Sequence, residues 1–106
     1  MSISTHVLDA VVGRPAAGLP VTLSRRTGDG WVEVSARVTD ADGRVADLAP
    51  AAEPGEYRLR FDVAAHFGTD TFYPEVVIAF RIVDAAAHHH VPLLLSPYAY
   101  STYRGS

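Results

Sequence analysis

A chain of 106 residues has room for one packed core, because domains usually run to about 50–250 residues. With 48% hydrophobic and 20% charged residues it is not a disordered chain, and a formal charge of -3 with no lysine and scattered arginines lacks the clustered basic footprint of a nucleic-acid binder. The absence of cysteine removes disulfides, thiolate metal sites and thiol nucleophiles together, and fits a reducing compartment.

So small a domain buries only about 60–65% of its unfolded surface, so subunit association is expected to help it. The start of the chain, Met1 to His6, has neither a basic segment nor a long apolar run, and no window approaches the ~20 apolar residues that span a bilayer. The expectation is a soluble cytoplasmic protein without a membrane partner.

Glycine and proline cut the chain into strand-length pieces. Ile3 to Val12 is rich in β-formers and ends in a Gly13–Gly18 loop that also holds Pro15. Val21 to Arg25 reads as the next strand. Thr27-Gly28-Asp29-Gly30 offers the positive φ angles of a tight hairpin, and Trp31 to Val38 returns. Asp40 to Gly43 forms a further turn, which leaves Arg44 at the mouth of a short strand running to Leu48. The clearest alternation lies in Glu56 to Val63, with Tyr57, Leu59, Phe61 and Val63 on one side and Glu56, Arg58, Arg60 and Asp62 on the other. Val63 to Phe67 has helical leanings for a turn or two before Gly68 stops it. Val76 to Val83, His88 to Ser96 and Tyr98 to Tyr103 complete the series. Seven or eight short strands at near-regular spacing predict an all-β, two-sheet antiparallel sandwich.

Period two gives the polar residues their places. If Val91, Leu93 and Leu95 enter the core, His90 faces outward together with His88. In Ile3 to Val12 both alternating sets are mixed, so the buried face is ambiguous. Taken alone, His6 reads as a partly exposed strand histidine. The run His88-His89-His90 is open to three readings: a solvated strand edge, metal ligands, or acid–base catalysis. The metal reading lacks partners, because zinc usually takes three or four ligands and the sequence has neither HExxH nor cysteine. Asp40 and Asp42 read as turn residues, since an EF-hand's other oxygen ligands are missing. There is no GxSxG elbow, phosphate loop or dinucleotide fingerprint. The terminal Tyr103-Arg104-Gly105-Ser106 is unusual for a chain end, where fraying is the norm.

Several segments carry a resemblance: Ser4-Thr5-His6-Val7-Leu8-Asp9, Gly13-Arg14-Pro15-Ala16, Asp42-Gly43-Arg44, Phe72-Tyr73-Pro74-Glu75-Val76, His90 to Pro97, and Tyr100 to Ser106. The chain resembles the 5-hydroxyisourate hydrolases, transthyretin-like enzymes of urate breakdown, and its tail matches their terminal signature, which transthyretin lacks. It departs from the family at His89, where tyrosine is frequent, and in a short His66 to Thr71 segment. The resemblance implies two four-stranded sheets with one short helix across residues 1–106, assembled as a homotetramer with sites in a channel between dimers. It implies no cofactor and no metal. Its substrate would be 5-hydroxyisourate, opened to 2-oxo-4-hydroxy-4-carboxy-5-ureidoimidazoline.

The implied catalytic residues are His6, Arg44 and His90, with Tyr103, Arg104, Gly105 and Ser106 joining His6 and Arg44 in binding substrate. Water attack on a ring carbonyl needs a base, charge stabilisation and a proton for the departing nitrogen. On this reading His6 activates water and His90 handles the proton, although the two can be exchanged. Arg44 binds and steadies charge, Tyr103 walls the pocket, and the Ser106 hydroxyl or terminal carboxylate orients the water or a histidine. A carrier of small ligands in the same channel is the rival reading, and a structural sandwich is a third.

Overall fold

The computed structural model describes residues 2–49 and 51–106. Among them the chain forms β1 (Ile3–Asp9), β2 (Arg14–Pro15), β3 (Pro20–Thr27), β4 (Gly30–Val38), β5 (Arg44–Ala49), β6 (Gly55–Asp62), α1 (Ala64–Phe67), β7 (Glu75–Ile82), β8 (His89–Ser96) and β9 (Ala99–Thr102). One sheet is ordered β4-β3-β6-β7. The other is built on β1, which pairs β8 along one edge and shares its second edge between β5 and the two-residue β2, while β9 lies outside β8. The expected two-sheet sandwich with one short helix is therefore present, with β2 as an additional short strand. No helix among the described residues is long and apolar enough to cross a membrane.

The β1–β8 pairing is parallel, in register from Ile3 opposite His89 to Asp9 opposite Leu95. A parallel pair cannot be closed by a tight turn, and the chain between these strands builds the whole second sheet. The interior is filled by Val7, Leu93 and Leu95 from one sheet and Val21, Leu23, Leu59 and Phe61 from the other, all buried. Each such side chain contributes about 1.5–3 kcal/mol. The β6 alternation holds, with Tyr57, Leu59 and Phe61 inward; Val63 is also buried, but as the residue that starts α1.

Three boundaries differ from the sequence reading, each for a local reason. The first strand stops at Asp9 instead of continuing to Val12, because the Asp9 carboxylate accepts the Val11 amide at 2.9 Å and its carbonyl accepts the Gly13 amide at 2.9 Å, curling the chain into a turn. The hairpin after β3 needs positive φ only at Gly28, with Thr27 directly opposite Gly30. The last strand ends at Thr102, one residue before Tyr103.

The ambiguous face of β1 is resolved by polar partners. Ile3, Thr5, Val7 and Asp9 all point inward, and the polar pair is accommodated because Thr5 donates to the Val91 carbonyl at 2.6 Å while Asp9 meets His66 of α1 at 2.8 Å. Burial alone would raise the Asp9 carboxyl, but the His66 contact and the Val11 and Val12 amides outweigh it and hold its pKa below the ordinary carboxylate value. Asp9→Ala strands those donors, so unfolding at neutral pH is expected to require about 1–3 kcal/mol less. The carboxylate's contribution is complete above its unfolded pKa of about 3.9 and is lost as pH falls through the lower folded value. Urea titrations of wild type and variant should therefore converge in acid. A gap that persists unchanged there would show that the charge is not what matters.

Candidate active site

Strand register brings the predicted residues to one surface. Arg44 at the start of β5 lies opposite His6, and on the other edge of β1 Ser4 lies opposite His90. Directly paired residues present their side chains to the same face. Ser4, His6, Arg44 and His90 thus share the outer face of the β1-centred sheet, with the core-facing set behind them. The expected outward orientation of His90 is observed, and it and His6 are half-buried while Arg44 is exposed.

Arg44 is held in place by its turn. The Asp40 carboxylate accepts the amides of Asp42 and Arg44 at 2.9 and 3.0 Å, and the Gly43 carbonyl accepts the Val7 amide at 2.8 Å. Gly43 sits at φ 72, where a side chain would also collide with the Val7 carbonyl oxygen. Asp40 and Asp42 are turn residues, as the sequence reading had them.

The terminal segment returns to His90. Beyond β9 the Gly105 amide donates to the His90 carbonyl at 2.9 Å, forming an isolated bridge. A Cβ on Gly105 would come within 2.5 Å of the His90 Cδ2, so only glycine lets the tail lie against that imidazole. Ser106 then joins Arg44, His90, His88 and Ser4 around an open depression of about 360 Å³. Tyr103 and Arg104 are placed differently. The alternation that would align Tyr103 with Ser101 and Ala99 ends with β9, and both residues line a neighbouring depression of about 240 Å³ with Ile78, Phe80 and His89. His90 borders both.

Burial first, then the positive charge of His88, Arg44 and His6, holds the His90 imidazole below the usual histidine pKa. At neutral pH it is an uncharged group able to accept a proton. His89 alternates to the inner side and is buried; burial and the charge of Arg104 lower its pKa as well. His88 stands just before β8, exposed, with its ring 6.4 Å from that of His90. The serine contacts to these rings, Ser4 Oγ at 2.7 Å from His90 Nδ1 and 2.8 Å from His88 Nε2, have no counterpart in the sequence reading. They depend on the parallel pairing of β1 with β8, which no local pattern announces. Among the described residues, no three or more His, Asp or Glu side chains are grouped so as to hold a metal ion.

A two-sheet sandwich whose outer face carries two histidines, an arginine and a returning tail defines a transthyretin-fold protein with a polar, titratable site. The chain belongs to the HIUase/Transthyretin family, whose model matches residues 3–105. The 5-hydroxyisourate hydrolase of Salmonella typhimurium is 46% identical over 109 residues, spanning 98% of this chain and 80% of that protein. The solved 5-hydroxyisourate hydrolase of Klebsiella pneumoniae superposes with a TM-score of 0.87 at 35% identity, covering 100% of both chains. Sea bream transthyretin in complex with thyroxine superposes with a TM-score of 0.93 at 30% identity, covering 99% of this chain and 95% of that one. Backbone similarity to both does not separate catalysis from carriage, and the site has to do so.

Proposed function

We propose that this chain is a hydrolase that opens 5-hydroxyisourate in urate degradation. The observation that carries the reading is the gathering of Arg44, a His90 held neutral, and Ser106 around one depression, with His6 alongside Arg44. The relatives named as 5-hydroxyisourate hydrolases support it. A carrier site would be mostly apolar with few polar groups, whereas these positions are charged or titratable.

In the proposed mechanism His6 takes a proton from water as it attacks the ring carbonyl, and the Arg44 guanidinium, permanently protonated, receives the developing oxyanion. His90 handles the proton that the departing ring nitrogen requires. The roles of the two imidazoles can be exchanged without altering this outline. Tyr103 and Arg104 bind from the neighbouring depression, Gly105 lets the tail close on His90, and Ser106 orients the water or a histidine.

The proposal extends to a cytoplasmic homotetramer with these sites between dimers. Its support is the sandwich edge formed by β7 and β9, which have no outer strand partner among the described residues, and the exposed Val11, Val12, Phe72 and Tyr98. Open edges and apolar surface of this kind are normally covered. Freshly generated 5-hydroxyisourate should decay faster with the protein than in buffer, and sedimentation should give four chains. Binding of the compound without acceleration of its decay would favour the carrier.

A further inference from the structure

The chain of contacts behind His90 reaches solvent. Ser4 Oγ stands between His90 Nδ1 and His88 Nε2, at 2.7 and 2.8 Å, and Ser2 Oγ lies 2.6 Å from His88 Nδ1. Ser4 is buried whereas His88 is exposed, so the sequence of partners runs outward from the site. A serine hydroxyl has one proton to donate. It can therefore satisfy both rings only by donating to one and accepting from the other, and this couples the tautomer of His90 to that of His88.

We propose that Ser4 is a positioning residue that fixes His90 through Nδ1 and links it to His88 and Ser2 as a proton path between the site and solvent. The inference rests on the hydrolytic reading. Two complete patterns satisfy the chain. In one, His90 Nδ1 donates to Ser4, Ser4 to His88 Nε2, and His88 Nδ1 to Ser2, leaving His90 Nε2 free to accept. In the other every donor is reversed, and His90 carries its proton on Nε2.

The two patterns interconvert in balance. When His90 Nε2 takes up the proton that the attacking water gives up through His6, its Nδ1 proton passes to Ser4 and the Ser4 proton to His88 Nε2. The His88 Nδ1 proton passes to Ser2, and the Ser2 hydroxyl proton goes to water. Each serine keeps its proton count, and both rings end neutral. Donation of the Nε2 proton to the departing ring nitrogen runs the path backwards, drawing one proton in. Opening an acyl–nitrogen bond leaves a carboxylic acid that ionises at neutral pH, so each turnover also has a proton to discharge. The path spares the site a lasting imidazolium beside the groups that face it, which are His6 on β1, Arg44 on β5, His88 before β8 and Ser106.

The test compares Ser4→Ala with Ser4→Thr for turnover of fresh 5-hydroxyisourate across the neutral pH range and in mixtures of light and heavy water. Ser4→Ala should lower kcat on the order of 10–100-fold, as loss of an outer partner that fixes a ring's tautomer does, with KM unchanged. Ser4→Thr, which keeps the hydroxyl and has the open depression beside it, should recover most of the loss. The dependence of rate on deuterium fraction should be bowed in the wild type, where several protons move, and linear in Ser4→Ala. Full activity in Ser4→Ala, or equal loss in both variants with melting temperatures unchanged, overturns the proposal. Imidazole nitrogen NMR of the wild type reads the same assignment without a variant. A His90 ring whose tautomer changes without a matching change at His88 overturns it. Failure of the wild type to accelerate decay overturns the hydrolytic reading itself, and is observed before any variant is compared.

Discussion

His90→Ala should reduce kcat by about 10²–10⁴-fold, the range in which positioned acid–base groups contribute, while the protein remains folded. The side chain lies on the outer face of β8, away from the Val91, Leu93 and Leu95 set that fills the core, so its removal leaves the packing intact. The pH profile gives the sharper criterion. Because burial and the charges of His88, Arg44 and His6 depress the His90 pKa, its neutral, proton-accepting form persists below pH 6.5, and with His90 as the base the acid limb of kcat/KM should lie below that of an ordinary histidine. Arg44→Ala removes one of those charges, so that limb should move upward in pH while KM rises. Stability should follow the same sign. The unfolded chain protonates at its ordinary value before the folded His90 does, so folding weakens as pH drops below about 6.5, with His89 adding to the trend. Wild-type turnover by His90→Ala would remove His90 from the chemistry, and an acid limb that Arg44→Ala leaves in place would give the base role to His6.

Much of the scaffold was legible because it is written locally. Gly28, Gly43 and Gly68 each adopt positive φ at a turn or helix end predicted from sequence, and the strict alternation of β6 became one buried and one wetter face. Strand β1 resisted because its inward residues include Thr5 and Asp9, whose burial is tolerated only through Val91 and His66, partners 86 and 57 positions away. For the same reason the sequence reading carried the strand on to Val12, past the aspartate that ends it. The candidate site's members could be named from the sequence, and their arrangement could not. Period two placed His90 outward, but only long-range register sets Ser4 beside it and Arg44 opposite His6. The tail looked unusual as sequence, yet nothing local says that it turns back onto β8, or that Tyr103 and Arg104 fall on one side of His90 while Ser106 falls on the other.

Gly105→Ala should abolish most turnover, by about 10²-fold or more on the acid–base scale, through a single methyl group. The backbone at Gly105 is outside the left-handed region that penalises side chains, so alanine meets no conformational strain there and its effect is purely steric. The added carbon would sit 2.5 Å from Cδ2 and 3.2 Å from Cγ of the His90 ring, well inside the ~3.5–4.0 Å optimum for carbon atoms. Either the imidazole rotates away from its Ser4 contact at 2.7 Å, or the tail gives up the Gly105–His90 backbone bond and carries Ser106 out of the depression. Both routes disable the site, and neither touches the sandwich interior, so the melting temperature should change little. Deletion of Tyr103 to Ser106 separates the two. A rate in Gly105→Ala lower than in the truncated protein would mean that a displaced imidazole is worse than a missing tail, whereas equal rates would mean that the tail simply detaches. Wild-type kcat in Gly105→Ala, with the His90 ring resonances unmoved, would show that the tail does not press on the His90 imidazole at all.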